Sequence, residues 1–206
     1  MKGIVFTEFL SMLDQKFSPE TTEEVLMSAP LASGGSYTAV GTYPHEELVA
    51  MLLKACEITQ TPPPQMLQKF GAHLLRVFRK KFPDFFTAHR DPLDFLEQVD
   101  SYVHVEVYKL YPDAELPRFY CQRLSPGRLL MDYHSSRHLD DLAYGLIMEA
   151  ITSYGSTRGR PAARRIPTPP ARNRGGRARA RTRPRAARRR ARRRRRAAAR
   201  TVAPPP

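Results

Sequence analysis

The sequence His104-Val-Glu-Val-Tyr-Lys-Leu-Tyr-Pro-Asp-Ala-Glu-Leu-Pro117 is followed along the chain by Tyr133-His-Ser135-Ser-Arg137. The first stretch begins inside a predicted helix, because Asp91 and Pro92 are a cap and a first-turn proline, and Pro112 ends the helical pattern. Helical spacing of four, four and three places one set of side chains on a single face: Leu96, Asp100, His104 and Val107. His104 therefore lies at a defined position on one helix face.

His104 is the histidine whose neighbourhood is unusual among the six in the chain. Its neighbours Tyr102, Val103 and Val105 are apolar or aromatic, and burying an imidazole there is costly unless another group binds its lone pair. On residue chemistry alone, that group could be iron, zinc or a backbone carbonyl. A lone histidine is more often an ordinary surface or core residue.

The second stretch lies at the end of a predicted β-hairpin. Alternating residues predict strands over 118–123 and 129–135, joined by the turn Ser125-Pro126-Gly127. Alternate residues of an extended segment share a face, which places Tyr133, Ser135 and Arg137 together. A phenol, a hydroxyl and a guanidinium in this arrangement could bind a carboxylate, or could form the solvated end of a strand.

Five further helices are predicted around these stretches, and together with the hairpin they give an α+β fold. The first covers about Gly3 to Phe17, Ser18 and Pro19 start the second, and the third runs from Pro44 to before Pro62. The fourth runs from about Gln65 to Phe82. The last has Ser136 as its predicted cap, Gly155 as its stop and a broad apolar face formed by Leu139, Leu142, Ala143, Leu146, Ile147, Ala150 and Ile151.

Charge divides the chain into a folded domain, residues 1–155, and a tail, residues 156–206. The domain carries 14 Lys and Arg and all 20 Asp and Glu, whereas the tail carries 20 Arg and no acid. Two distant cysteines, no signal peptide and no long apolar run predict a soluble, cytoplasmic protein. No nucleophile–base pair, phosphate-binding loop or carboxylate dyad stands out, so the sequence does not indicate an enzyme.

The histidine followed by the Tyr-x-Ser-x-Arg triplet at this separation resembles the haem nitric oxide/oxygen binding (H-NOX) family, of the bacterial stand-alone type and related to the sensor domain of soluble guanylate cyclase. The N-terminal Met-Lys-Gly-Ile-Val-Phe-Thr-Glu-Phe and Gly145-Leu-Ile147 of the last helix also match. The resemblance covers residues 1 to about 155. It implies haem b as cofactor and a helical N-terminal subdomain whose neighbouring helices pack on a small antiparallel sheet.

The resemblance also implies roles for individual residues. His104 would be the iron's axial ligand, and Tyr133, Ser135 and Arg137 would bind the haem propionates. Pro117 would press on the macrocycle and distort it, although it could be a simple strand entry. Gly71 and Gly145 match glycines about which the N-terminal subdomain shifts, and close helix packing would also explain them.

The ligand side of the haem would be apolar. Family members that hold oxygen have a tyrosine five residues after the arginine that corresponds to Arg137, and this chain has Leu142 at that position. The neighbouring positions are Val5, Phe9 and Leu74, which add no hydroxyl, and Tyr144 is two residues out of place on the helix. Bound oxygen needs a hydrogen-bond donor and nitric oxide does not, so these residues favour nitric oxide.

The resemblance implies that nitric oxide weakens the iron–histidine bond, that the haem flattens, and that the N-terminal subdomain shifts. Such a change signals only through a partner that binds the two conformations unequally. This sequence contains no effector domain, so the expected partner is a separate histidine kinase or diguanylate cyclase.

The tail departs from the family, whose members continue with two further strands of a four-stranded sheet. Here the expected sheet lacks them, and a tail without acidic or aromatic residues is predicted to be disordered. Arginine without lysine, beside Ala, Pro and Gly, is also typical of a GC-rich gene translated out of frame. If the tail is genuine, the alternative function is salt-dependent binding of nucleic acid or another polyanion.

Overall fold

The computed structural model describes residues 1–89 and 91–154. The helices are α1 (Gly3–Lys16), α2 (Pro19–Ser28), α3 (His45–Thr59), α4 (Pro63–Lys81), α5 (Asp84–Thr87), α6 (Pro92–Glu97), a π-helical turn (Val99–Val103), α7 (His104–Leu110) and α8 (Asp140–Tyr154). The strands are β1 (Arg118–Ser125) and β2 (Arg128–His134). The fold is the predicted α+β arrangement of helices with a small antiparallel sheet.

The first apolar core lies among the N-terminal helices. The aromatic rings of Phe9 and Phe70 meet edge to face at 5.1 Å, which joins α1 to α4. Full burial of such side chains stabilises each by about 1.5–3 kcal/mol. Its largest fully buried side chains are Phe6, Phe9, Phe70, Met12, Leu13, Leu48, Met51, Met66 and Val25. The helical periodicity of the sequence predicts most of this core.

A second core lies between α4, α6 and α8. Leu75 of α4 packs there with Phe95 and Leu96 of α6 and with Ala150 and Ile151 of α8. Leu129 and Met131 of β2 pack against this core from the sheet. The hairpin is therefore held to the helices by the inward-facing side chains of its second strand.

The described residues form a sheet of two antiparallel strands. Phe119 pairs with Tyr133 and Cys121 with Met131, and the register shifts between Arg123 and Ser125. The bounds of the two strands, and the turn between them, agree with the prediction to within two residues. The predicted stop at Gly155 and the predicted Arg-rich tail lie outside the described residues.

Two local predictions were wrong. The helix predicted from Asp91 to Pro112 is divided, since α6 ends at Glu97 and a π-helical turn separates it from α7. A π-helical turn takes up an extra residue that a regular helical pattern does not reveal. Ser136 is not the cap of the last helix, because α8 begins at Asp140 after His138 adopts a left-handed backbone angle (φ 51°).

His73, buried on α4, makes the stability of the fold depend on pH. Burial lowers the pKa of His73 from its ordinary value of 6.5, and the Glu8 carboxylate, 3.4 Å from Nε2, opposes this. The unfolded chain therefore binds more protons than the folded chain below pH 6.5, so folding stability is lost as the pH falls through that value. We expect urea unfolding midpoints to drop between pH 7.5 and 5.5, and to drop less in His73→Gln.

The control for this prediction is His134→Gln, which changes an exposed histidine on β2. In this variant the urea unfolding midpoint should fall between pH 7.5 and 5.5 by as much as in the wild-type protein. An equal pH dependence in His73→Gln and wild type would rule out His73 as the source.

Candidate functional site

His104 is the first residue of α7 and follows directly on the π-helical turn. Its side chain is only 13% exposed, and its ring lies 5.8 Å from that of Phe119 on β1. Burial lowers the pKa of His104, which the Asp100 carboxylate and the Pro117 carbonyl oppose. The lowered pKa favours the neutral imidazole, which is the form that binds a metal.

Asp100 faces the imidazole from one turn earlier in the chain. Its Oδ1 lies 3.4 Å from His104 Nδ1, yet Nδ1 is buried without a hydrogen bond. The two residues share a face, as predicted, although a π-helical turn and not a regular α-helix holds Asp100 there. Asp100 was not predicted as a site residue, although its spacing from the histidine was a usable signal.

The Tyr-Ser-Arg triplet lies on one face, as predicted. Tyr133, Ser135 and Arg137 are partly buried, whereas the intervening His134 and Ser136 are exposed. Burial raises the pKa of Tyr133, and hydrogen bonding to Ser135 and to the Leu139 backbone opposes the shift. The Ser135 hydroxyl also accepts a hydrogen bond from the Arg137 backbone N–H (3.2 Å). The three residues form one connected group.

The Arg137 guanidinium already binds a carboxylate. Its side chain is 10% exposed and donates to the Glu115 backbone carbonyl and to Glu115 Oε2, both at 2.6 Å. Its Nε is buried without a hydrogen-bond partner. Glu115 was not predicted as a site residue, since only the path of the 111–117 loop brings it to Arg137.

The four residues predicted to surround the gas ligand belong to one apolar cluster. Phe9, Leu74 and Leu142 are buried in the first core, and Val5 packs against it. They come from α1, α4 and α8, so the fold brings together positions far apart in the sequence. None of the four can donate a hydrogen bond from its side chain.

Gly71 and Gly145 lie where α4 and α8 cross closely. A Cβ atom on Gly71 would lie 2.3 Å from the Leu142 carbonyl oxygen, and one on Gly145 would lie 2.3 Å from the Gln68 carbonyl oxygen. Close helix packing therefore explains both glycines. Their role as a hinge stays a prediction, as does pressure from the half-buried Pro117 on a macrocycle.

These residues fit a haem. Among the described residues, His104 Nδ1 and Arg137 Nε are two of three buried side-chain nitrogens that lack a hydrogen-bond partner. With Nδ1 facing Asp100, the imidazole can bind iron through its other nitrogen, Nε2, and the guanidinium with its neighbouring hydroxyls can bind carboxylates. In the part of the chain that the structure describes, no three His, Cys, Asp or Glu side chains are grouped to hold a metal ion.

Comparison with known proteins identifies the class of protein. The model of the family described as Haem-NO-binding matches residues 2–158, and the chain belongs to this family, the H-NOX proteins. No curated protein matches the chain. No helix within the described residues is both long and apolar enough to cross a membrane.

Solved structures support the same assignment. The chain is 33% identical to an Fe(II) unliganded H-NOX protein from K. algicida, with a TM-score of 0.71 over 75% of this chain and 83% of that one. It is 36% identical to the H-NOX from Shewanella woodyi, whose IWP-051-bound Fe(II)CO form aligns with a TM-score of 0.65 over 75% and 81% of the chains. An Fe(II)NO H-NOX protein from S. oneidensis, 24% identical, shares the fold with a TM-score of 0.68 over 75% and 85% of the chains.

Proposed function

We propose that residues 1–155 form a non-enzymatic, cytoplasmic sensor of nitric oxide that uses haem b. The observations that carry this proposal are the low exposure of His104 (13%) and, at the predicted ligand positions, a cluster of apolar residues without a hydrogen-bond donor. The gas-binding chemistry belongs to ferrous iron, which binds nitric oxide without help from a hydrogen-bond donor. The chain's residues hold the cofactor and select the gas.

Two groups of side chains would hold the haem. His104 would donate an imidazole lone pair to iron, and Tyr133, Ser135 and Arg137 would bind the propionates. Arg137 supports this role because its guanidinium already binds the carboxylate of Glu115, which is 76% exposed and could yield to a propionate. A buried arginine gains more from such a partner than an exposed one does.

Selection against oxygen would come from Leu142 and its neighbours. Oxygen on iron gains partial negative charge that a hydroxyl could stabilise, and Val5, Phe9, Leu74 and Leu142 offer no donor. Signalling requires two conformations of this domain that a separate partner binds unequally. We propose a histidine kinase or a diguanylate cyclase as that partner.

Visible spectroscopy of the haem-loaded, reduced chain tests the selection. We expect nitric oxide to move the Soret band and air to leave no stable oxygen complex. Leu142→Tyr adds a hydroxyl at the predicted position, and we expect it to gain an oxygen complex that Leu142→Phe, of similar volume, lacks. A stable oxygen complex in the wild type would contradict the proposed selectivity, and failure of the wild type to take up haem would contradict the sensor function itself.

A further inference from the structure

Asp100 connects the predicted iron ligand to the sheet. The carboxylate is partly buried (23% exposed) and lies at the π-helical turn, one turn before His104. Its Oδ1 lies 3.4 Å from His104 Nδ1 and accepts a hydrogen bond from the Phe119 backbone N–H at 3.3 Å. Its Oδ2 lies 3.3 Å from Arg118 Nε. Two groups at the start of β1 thus fix the carboxylate beside the imidazole.

A carboxylate in this position restricts how the imidazole carries its proton. A neutral imidazole has one N–H and one lone pair, and an ionised carboxylate accepts hydrogen bonds but donates none. The Asp100 carboxylate therefore favours the proton on Nδ1, which leaves the lone pair on Nε2, and the Pro117 backbone carbonyl is a second acceptor beside the imidazole. The separation of 3.4 Å exceeds a normal hydrogen bond of about 2.9 Å, so a small rotation of the imidazole would be needed to complete the contact.

We propose that Asp100 is a positioning residue for the haem ligand, which holds the His104 proton on Nδ1 and directs the Nε2 lone pair to the iron. The role of Asp100 in iron binding rests on the proposed function. The position of the proton on His104 does not, because it can be measured on the chain without haem. Carboxylates behind metal-binding histidines fix the ring and strengthen its donation. Asp100 would thereby set how firmly His104 holds iron.

The ion pair with Arg118 and the hydrogen bond from the Phe119 backbone N–H also tie this carboxylate to the sheet. Because Asp100 is anchored to β1, a change in the position of the His104 imidazole would be transmitted through the carboxylate to the start of the sheet. Pro117 lies directly before this point, so the ligand, its carboxylate and the strand entry form one short path through residues 100–119. Positioning of the imidazole is thus coupled to the strand that carries Phe119.

The test compares Asp100→Asn with Asp94→Asn. The control residue is a half-exposed aspartate on α6 that also pairs with β1, through Arg123 (2.6 Å), and it does not face His104. Nitrogen-15 NMR of the haem-free full chain reports which nitrogen of His104 carries the proton. We expect Nδ1 in the wild type and in Asp94→Asn, and a larger share of Nε2 protonation in Asp100→Asn.

The second measurement uses the haem-loaded, reduced protein. We expect the iron–histidine stretching band in the resonance Raman spectrum to shift to lower frequency in Asp100→Asn, and haem loss to apomyoglobin to become about tenfold faster. If Asp100 had a purely structural role, Asp100→Asn would leave the His104 proton on the same nitrogen and the iron–histidine band at the same frequency. Either of these two findings would overturn the proposal. Failure of the wild type to bind haem would instead count against the proposed function, while the NMR measurement would still decide the role of Asp100.

Discussion

Replacing His104 with glycine is expected to remove the protein's bond to iron and to weaken haem retention by more than about 100-fold, since loss of an outer partner alone costs about 10- to 100-fold. The side chain is 13% exposed, so the substitution leaves a cavity beside the Phe119 ring. Free imidazole can enter this cavity and replace the missing donor. Addition of imidazole should therefore restore haem binding and the Soret band of the reduced protein.

The matched control is His134→Gly, which removes an exposed imidazole from β2. It should bind haem like the wild type and should not respond to imidazole. The proposed ligand would be wrong if His104→Gly kept its haem and its spectrum unchanged, and a second histidine would then have to be sought. Circular dichroism of both variants separates loss of the ligand from loss of the fold.

The sequence predicts the helices well because each has an apolar stripe that the core then buries. Leu48, Met51, Leu52 and Ala55 recur at helical spacing and are all buried in the first core. The divided helix was not predictable in this way. A π-helical turn changes the phase of the pattern by one residue. None of the residues from Val99 to Val103 is fully buried, so the apolar pattern of the sequence does not reveal the change.

The candidate site was predictable where it depends on local spacing. The i, i+4 relation of Asp100 to His104, and the alternation of Tyr133, Ser135 and Arg137, follow from helix and strand geometry. Contacts formed through loops were not predictable. Glu115 reaches Arg137 only because the 111–117 loop returns toward β2, and no pattern in the sequence encodes that path.

Residues at the N-terminus contact the α2–α3 connection and the loop after α7. The Met1 ammonium group donates to the Tyr43 carbonyl (2.6 Å), and Lys2 pairs with Asp113 (2.9 Å) in the loop between α7 and β1. The Lys2–Asp113 pair links the start of α1, which carries Val5 and Phe9, to the loop that follows α7. The two sides of the proposed haem site are therefore connected by this ion pair as well as by the core.

The second large expected effect is a loss of folding stability when a glycine at the crossing of α4 and α8 is replaced. Gly145→Ala is expected to destabilise the fold by about 3 kcal/mol, because the new methyl group would lie 2.3 Å from the Gln68 backbone oxygen and the backbone must move. Gly127→Ala, in the hairpin turn, is the control, since a Cβ there meets nothing within 4 Å. We expect that variant to stay within about 0.5 kcal/mol of wild type in urea unfolding.

Gly71→Ala should have an effect of similar size, because its methyl group would lie 2.3 Å from the Leu142 carbonyl oxygen. One outward movement of α8 relieves both clashes, so the double variant should lose less stability than the sum of the single losses. The same movement would carry Leu142 away from Leu74 and open the apolar wall of the proposed ligand site. Additive losses, or single variants as stable as Gly127→Ala, would show that the two helices do not depend on this close crossing.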